Sequence, residues 1–178
     1  MPRNSSSTPR LRARPLAVPL HVVLVEPEIP PNTGNVARLC AATASPLHLV
    51  GPLGFRIDEH SVRRAGVDYW HLVDVRQHAD FDDFRRVHSS TTGAGRLHLF
   101  SATATASYVE TAFSPGDALV FGKESSGLSP ELLRRFPGHV VGIPTLGAVR
   151  SLNLANAVGI ALYEALRQLG ALANTYAG

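Results

Sequence analysis

Short apolar runs alternate with helical segments along most of this chain, and this alternation restricts the possible folds more than any other feature. The runs are rich in valine and leucine, as buried strands of a parallel sheet are. The predicted strands are His21–Val25, Leu47–Val50, His71–Val75, Arg96–Ala102, Ala118–Phe121 and Val140–Ile143. Alternation of this kind predicts an α/β fold with a mostly parallel sheet and helices on both faces.

The segments between the predicted strands carry helix signals. Ser129-Pro130-Glu131, for example, offers a capping side chain followed by a proline at the first helical position. The predicted helices are Gly34–Ala44, Asp58–Ala65, Phe81–Val87, a short helix from Pro130, and a long helix from Leu154 to Leu169. Gly170 supplies a stop for the last helix.

The long helix has an unusual beginning. Its apolar residues recur at helical spacing from Leu154 onward, which predicts a buried stripe. Immediately before and within its first turn stand Arg150, Ser151, Asn153 and Asn156. Polar side chains so close to a core either cap the helix or hold a ligand, and the sequence alone leaves both possibilities open.

Composition limits the class of protein. A chain of 178 residues with 44% hydrophobic residues is expected to form one domain with a real core. No apolar run approaches the roughly 18–20 residues of a membrane span. The single cysteine, Cys40, excludes an internal disulfide framework, and the eight histidines lack the spacing of a metal-binding helix. We therefore expect a cytoplasmic protein that uses neither a membrane nor a metal.

The charge of the chain is concentrated at its beginning. Residues 1–20 contain four arginines and no acid, whereas the remainder has 13 basic and 14 acidic residues. Residues 1–19 are predicted to be a disordered basic leader with some affinity for polyanions; a solvated leader without a role is an equal alternative. The predicted domain is 20–170, and 171–178 forms a tail.

Three polar or glycine-rich loops follow predicted strands, where open parallel sheets bind ligands. They are residues 26–38, 122–128 and 143–156. Each has a purely structural alternative: Asn32 or Thr33 caps a helix, Glu124 begins one, or Ser151 and Asn153 satisfy free helix N–H groups. Gly122 and Gly127 do not fit the phosphate-loop pattern, and no nucleophile-elbow serine is present.

Taken together, these loops form an ordered set of motifs. They are E-P-E-I-P-P-N-T-G-N-x-x-R at Glu26–Arg38, F-G-x-E-x-x-G-L at Phe121–Leu128 and I-P-x(6)-R-S-x-N-L-x-N-A at Ile143–Ala157. R-R-A-G-x-D-Y at Arg63–Tyr69 accompanies them. From Val22 to Gly170 the chain resembles the SPOUT superfamily of knotted methyltransferases, and within it the small tRNA 2′-O-ribose methyltransferases that act on the wobble nucleotide.

The resemblance implies a fold, a cofactor and an activity. The C-terminal segment would thread a loop as a deep trefoil knot and bind S-adenosylmethionine there. The implied cofactor-binding residues are Ala102, Gly122, Ile143, Ser151, Leu152 and Ala157. Ala102 departs from the larger aliphatic residue of the subgroup and is expected to widen the pocket.

The resemblance also assigns catalytic roles. An arginine matching Arg38 activates the ribose hydroxyl in the superfamily; because arginine is too basic to accept a proton, a positioning and electrostatic role is favoured. Asn32 and Asn35 would fix the ribose or phosphate. Glu124, Ser151 and Asn153 would orient Arg38 and the nucleotide.

RNA contacts and partners can be placed only coarsely from sequence. Arg150 lies within a matched motif and is the first candidate, followed by Arg63 and Arg64. A near-neutral small domain favours a homodimer that pools two surfaces on tRNA, and the resemblance implies the same arrangement. Two alternatives remain: another tRNA or rRNA target, or a non-catalytic RNA-binding protein of this fold.

Overall fold

The computed structural model describes residues 9–55, 70–92 and 95–178. The strands are β1 (Leu11–Ala13), β2 (His21–Val25), β3 (Leu47–Val50), β4 (Val75–His78), β5 (Leu97–Phe100), β6 (Ala118–Phe121), β7 (Val140–Val141) and β8 (Thr175–Ala177). The α-helices are α1 (Pro30–Thr43), α2 (Phe81–Thr92), α3 (Pro130–Arg135) and α4 (Leu154–Gln168). Short 3₁₀ turns occupy Trp70–Leu72, Tyr108–Glu110 and Pro137–His139.

Six of these strands form one sheet in the order β4-β3-β2-β6-β5-β7. Every neighbouring pair in it is parallel. Because parallel strands need crossover connections, the helices lie over the sheet faces. The predicted α/β class with a mostly parallel sheet is confirmed.

The sheet separates two apolar cores. On one face, Val22, Leu24 and Leu119 pack with residues of α1 and α4 such as Val36 and Leu162. On the other, residues including Val23 and Val120 pack with Phe84 of α2 and Leu132 of α3. Alternation of side chains along each strand places successive residues in different cores.

The long C-terminal helix has the predicted stripe. Val158, Ala161, Leu162, Ala165 and Leu166 are buried, at the spacing of one helix face. Gly170 has a positive φ of 68°, a conformation that glycine adopts without strain, and it ends the helix as predicted. None of the helices in the described part of the chain is long and apolar enough to cross a membrane.

Several predicted boundaries are wrong, and one strand is misplaced. The run predicted as His71–Val75 contains a 3₁₀ turn, and β4 begins only at Val75. This strand reads V-R-Q-H and lies at the sheet edge, where Arg76 and Gln77 keep contact with solvent, so its sequence lacks an apolar signal. Helix α1 begins at Pro30 rather than Gly34.

Other elements differ mainly in length. The structure extends α2 to Thr92, beyond the predicted end at Val87. It shortens the predicted strands Arg96–Ala102 and Val140–Ile143 to β5 and β7. The predicted helix Asp58–Ala65 lies outside the described residues.

The beginning and end of the described chain pair with each other. β1 and β8 form a two-stranded antiparallel ribbon in which Leu11 lies opposite Ala177 and Arg12 opposite Tyr176. Arg10 and Gly178 exchange backbone hydrogen bonds of 2.9 and 3.0 Å. This ribbon differs from the predicted disordered leader and separate tail, because part of each supplies the backbone partner that the other needs.

A row of buried histidines crosses the sheet face beneath α2. His21 Nδ1 lies 2.9 Å from His48 Nε2, and His48 Nδ1 lies 2.9 Å from His78 Nε2. His21, His48 and His78 belong to the adjoining strands β2, β3 and β4. His88 of α2 contacts His21 edge-on, with ring centroids 5.0 Å apart, and its Nε2 lies 2.9 Å from the Gly116 carbonyl oxygen.

Burial keeps these imidazoles neutral. Loss of hydration, reinforced by the neighbouring His88, lowers the pKa of His21 to about 4. Burial, with His21 and His78 nearby, lowers the pKa of His48 to about 2. A row of neutral imidazoles satisfies itself, since each ring has one N–H donor and one acceptor nitrogen. We interpret this row as a structural element of the core.

Candidate functional site

The strand order creates a crevice between β2 and β6. From β2 the chain continues to β3 and β4 on one side of the sheet, whereas β5 and β7 lie beyond β6 on the other. In open parallel sheets, ligands bind outside the carboxyl ends of the strands at such a switch point. The loops that follow β2 and β6 therefore border the expected binding position.

Glu124, in the loop after β6, anchors the loop after β2. Its carboxylate accepts hydrogen bonds from Glu28 N at 2.8 Å, Ile29 N at 3.2 Å and Asn32 Nδ2 at 3.1 Å. Helix α1 begins with two prolines and has no side-chain cap of its own at Ile29. The negative charge of Glu124 therefore stands at the positive end of α1, where it stabilises both the loop and the helix.

Further contacts between these two loops run in the opposite direction. Glu28 Oε2 accepts a hydrogen bond from Ser125 N at 3.1 Å, and hydrogen bonding to Ser125 lowers the pKa of this carboxyl. Lys123 Nζ lies 2.7 Å from Glu26 Oε2. Glu26 has a positive φ of 51°, a conformation uncommon outside glycine and typical of functional turns.

The third loop joins them through Asn153. The Asn153 side-chain oxygen caps α4, accepting from Ala155 N at 2.9 Å and Asn156 N at 3.3 Å. Its amide nitrogen donates to Asn32 Oδ1 at 3.1 Å. The capping interpretation is therefore confirmed for Asn153, which in addition links the third loop to α1.

Asn32 connects the three loops. It donates to Glu124 and accepts from Asn153, although these residues lie 92 and 121 positions away in the chain. The predicted convergence of the three loops is confirmed by these contacts. The alternative in which Asn32 or Thr33 caps the following helix is wrong, because both residues lie inside α1.

Helix α1 presents further candidates beside this junction. Asn32, Asn35 and Arg38 recur every three residues and so follow one side of the helix. Asn32 is buried, whereas Asn35 and Arg38 are exposed. The helix therefore places an amide and a guanidinium within reach of a ligand that approaches from solvent.

Gly122 is required by the shape of its own loop. A Cβ atom at this position would lie 2.0 Å from the Gly127 carbonyl carbon and 2.2 Å from Leu128 N. Gly127 has a φ of 70° and donates its N–H to Lys123 O at 2.8 Å, closing the turn. The resemblance implies that Gly122 binds the cofactor; the structure shows that glycine is required here by the protein's own backbone as well.

The residues assigned to a cofactor follow three adjoining strands. Ala102, Gly122 and Ile143 lie within two residues of the ends of β5, β6 and β7, which are neighbours at one side of the sheet. Ile143 and Ala157 are half-buried against the core, and Leu152 is half-buried beside them in sequence. Ala102 is exposed.

The remaining predicted site residues lie in an exposed segment or outside the described residues. Arg150 and Ser151 lie in residues 144–151, an exposed segment that includes the fully exposed Leu146. Arg63 and Arg64, predicted RNA contacts, lie outside the described residues, as does the motif Arg63–Tyr69.

Two buried hydroxyl groups near these loops have no hydrogen-bond partner within the described part of the protein. They are Thr33 Oγ1 in α1 and Ser107 Oγ. Ser107 lies beside Gly142 at the end of β7, next to Ile143. Because a buried hydroxyl is normally satisfied, Ser107 suits a site that a polar ligand completes. Sequence patterns gave no signal for Ser107, whereas Thr33 was singled out only as a possible helix cap. Among the described residues no cluster of histidine, cysteine and carboxylate side chains could hold a metal.

The fold of this chain is similar to those of RNA methyltransferases of known structure. A structure from a study of the 2-OH methylation of C/U34 on tRNA is 51% identical, with a TM-score of 0.78, and the match covers 85% of this chain and 97% of that one. An AdoMet-bound rRNA methyltransferase from Sinorhizobium meliloti is 28% identical, with a TM-score of 0.72, over 89% of this chain and 62% of that one.

The chain belongs to the SpoU rRNA methylase family, whose model matches residues 19–163. It is 48% identical over 151 residues to the tRNA (cytidine(34)-2'-O)-methyltransferase of Burkholderia pseudomallei, covering 84% of this chain and 96% of the relative. The enzyme of the same name from Yersinia pestis is 42% identical over 153 residues, covering 85% and 94%.

Proposed function

We propose that this protein transfers a methyl group from S-adenosylmethionine to the ribose 2′-hydroxyl of the wobble pyrimidine of a tRNA. The convergence of Glu124, Asn32 and Asn153 at the switch point is the observation that supports this most directly. It places all three matched motifs in one site. The relatives that share this chain's full domain length carry the corresponding names.

The residues at the ends of β5, β6 and β7 suit S-adenosylmethionine. Apolar Ile143, Leu152 and Ala157, together with backbone groups at Ala102, Gly122 and Ser151, offer a neutral wall for a flat, uncharged adenine. The Ser107 hydroxyl, which has no hydrogen-bond partner among the described residues, adds a polar group at the same edge. When bound, this cofactor supplies an electrophilic methyl group on a sulfonium. Two AdoMet-bound structures resemble this chain, at 28% and 26% identity.

We assign to Arg38 the role of activating the ribose 2′-hydroxyl. Its guanidinium stays protonated, so it orients the hydroxyl and stabilises the charge that develops on oxygen as the proton leaves. Asn32 and Asn35 position the ribose or its phosphate from the same helix side. Glu124 and Asn153 act by fixing Asn32, and Ser151 orients the nucleotide from the following loop.

We further propose a homodimer in the cytoplasm. Ile160 and Tyr163, on the outer side of α4, are 40% and 46% exposed, and Ile29 beside the site is 44% exposed. A second copy would cover this apolar surface and bring Arg150 of each subunit to a shared RNA-binding face. The resemblance also supports a trefoil knot that closes the cofactor site.

The direct test is incubation with labelled methyl donor and total tRNA from a strain lacking this gene, followed by nucleoside mapping. We expect one 2′-O-methylated pyrimidine at the first anticodon position. Absence of methyl transfer to tRNA would contradict the proposal.

Ribosomal RNA is a second candidate substrate, favoured by the family description and by the rRNA methyltransferase among the structural neighbours. The same assay with rRNA from the deletion strain separates the two. If the label appears in rRNA and not in tRNA, the substrate of the enzyme is rRNA.

A further inference from the structure

We propose that the β1–β8 ribbon is an additional RNA-binding surface, which holds the phosphate backbone of the tRNA away from the site of methyl transfer. This inference rests on the proposed function. The ribbon lies outside residues 19–163, the part of the chain that the family model matches.

The ribbon carries its positive charges on one face. Arg10, Arg12 and Arg14 alternate along an extended strand, so their side chains point to the same side and recur about every 7 Å. Arg12 lies opposite Tyr176 in the register, which places the tyrosine ring on that face too. Leu11, Ala13 and Thr175 occupy the other face.

The contacts agree with this arrangement. A Cβ atom added at Gly178 would lie 3.1 Å from Tyr176 Cε2 and 3.5 Å from Arg12 Cγ. The tyrosine ring and the arginine stem therefore approach the same point on the ribbon. Arginine and aromatic side chains together are typical of surfaces that bind a nucleic-acid backbone and stack on its bases.

The ribbon and the residues that flank it in sequence carry no acidic side chain to compensate this positive charge. Neither residues 9–20 nor residues 165–178 contain an acidic side chain. Of the salt bridges in the described part of the chain, none involves Arg10, Arg12 or Arg14, whereas Arg76, Arg86, Arg135 and Arg167 each pair with a carboxylate. All three ribbon arginines are exposed, so they are available to phosphates.

A cleft of about 670 Å³ adjoins the ribbon, with Arg14 on one side and Ala173, Asn174, Thr175 and Tyr176 on the other. Its size suits a nucleotide-sized group. Asn174 and Tyr176 supply hydrogen-bonding groups, and Arg14 supplies a charge. The cleft thus extends the charged face into a concave position where one nucleotide can be held.

The position of the ribbon predicts which kinetic step it affects. β1 precedes the amino end of β2, and β8 follows the C-terminal end of α4, whereas the site lies at the carboxyl ends of the strands and at the start of α4. Because α4 is about 22 Å long, we infer that the ribbon lies away from the reacting hydroxyl of the same subunit. It is expected to strengthen tRNA binding while leaving methyl transfer in the bound complex unchanged.

The test compares R10A/R12A/R14A with the control R76A/R86A/R167A, which removes the same charge from paired positions elsewhere. For the ribbon variant we expect tRNA KM to rise about tenfold with kcat unchanged. Three lost phosphate contacts should reduce the slope of log Kd against log salt by about 2, so that raising salt from 50 to 200 mM weakens wild-type binding about 20-fold more than variant binding. R10K/R12K/R14K should retain most of the affinity.

Several results would overturn the inference. They are an unchanged KM and salt slope, equal losses in the control, or a lysine variant as weak as the alanine variant. Loss of binding to anionic phospholipid vesicles with tRNA binding intact would assign the face to a membrane surface instead. These outcomes require an active wild-type enzyme, so they are distinct from failure of the proposed function, in which the wild type itself methylates no tRNA.

Discussion

The junction of loops at the carboxyl edge and the histidine row beneath α2 are both polar networks that join distant parts of the chain. The loop junction keeps its charges, because Glu124 and Lys123 remain partly exposed and bind charged or backbone partners. The histidine row lies in the core, where burial favours neutral rings. The comparison teaches that burial decides the character of a polar network: side chains at the partly exposed edge keep their charges, whereas the buried rings of the interior are neutral.

The largest expected effect concerns the loop junction at the carboxyl edge of the sheet. Arg38→Ala should lower kcat about 10³-fold, because the developing oxygen charge loses its guanidinium. Cofactor affinity by calorimetry and the thermal unfolding midpoint should stay near wild type. Arg86→Ala, which removes an exposed arginine paired with Asp83 on α2, is the control. Retained turnover in the Arg38 variant would refute its assigned role.

Acidification should lower the free energy of unfolding through the buried histidines of the interior. In the unfolded chain these imidazoles bind a proton near pH 6.5, whereas the native pKa is about 4 for His21 and about 2 for His48. Their contribution is therefore complete above pH 6.5 and declines as pH falls towards 4. Between pH 7 and 5 we expect a loss of about 2 kcal/mol for each.

Urea titrations at several pH values measure this loss. A variant at the exposed His71 should follow the wild-type profile. A free energy of unfolding that stays flat from pH 7 to 5 would contradict the assignment of neutral buried rings.

Removal of the His48 ring, the central one of the row, should lower the free energy of unfolding without changing turnover. His48→Leu leaves His21 Nδ1 and His78 Nε2 without their partners, so we expect a loss of about 2 to 3 kcal/mol of unfolding free energy. Turnover per folded molecule should remain unchanged. His71→Leu is the matched control, and comparable destabilisation there would remove the distinction between buried and exposed histidines.

The smallest expected effect divides the two roles of Asn153. Asn153→Asp keeps the acceptor that caps α4 but places a carboxylate against Asn32 Oδ1, so stability should change by less than about 0.5 kcal/mol while kcat/KM falls about tenfold. Asn153→Ala should also lose about 1 kcal/mol of stability. Equal activity in the aspartate variant and wild type would mean that the link to Asn32 is dispensable.

Sequence predicted the interior strands better than the edges. β2, β3 and β6 have the predicted bounds because both faces of each are buried, which leaves continuous apolar runs. The prediction for β4 was wrong because an edge strand can remain polar. The predicted start of α1 was wrong for another reason. The group that caps this helix is Glu124, which lies far away in the chain and cannot be identified from local sequence.

The site was predicted in outline, since three loops at strand ends must meet at one edge. The individual bonds required the tertiary structure. The histidine row was missed because the histidines were considered only as metal ligands. Leu47-His48-Leu49 and Leu97-His98-Leu99 did offer a signal, a histidine enclosed by leucines in an apolar strand. His98 is indeed buried, with its Nε2 2.8 Å from Asp117 Oδ2.

The pairing of His21 in β2 with Ala118 in β6 has a consequence for biosynthesis. As the polypeptide leaves the ribosome, β2 acquires β3 early, but its other backbone edge stays bare until β6 has been translated, 97 residues after His21. Such an edge is a template for aggregation. Truncated products that stop before Ala118 are therefore expected to need chaperones or rapid proteolysis, and the crevice between β2 and β6 can form only once β6 has been translated.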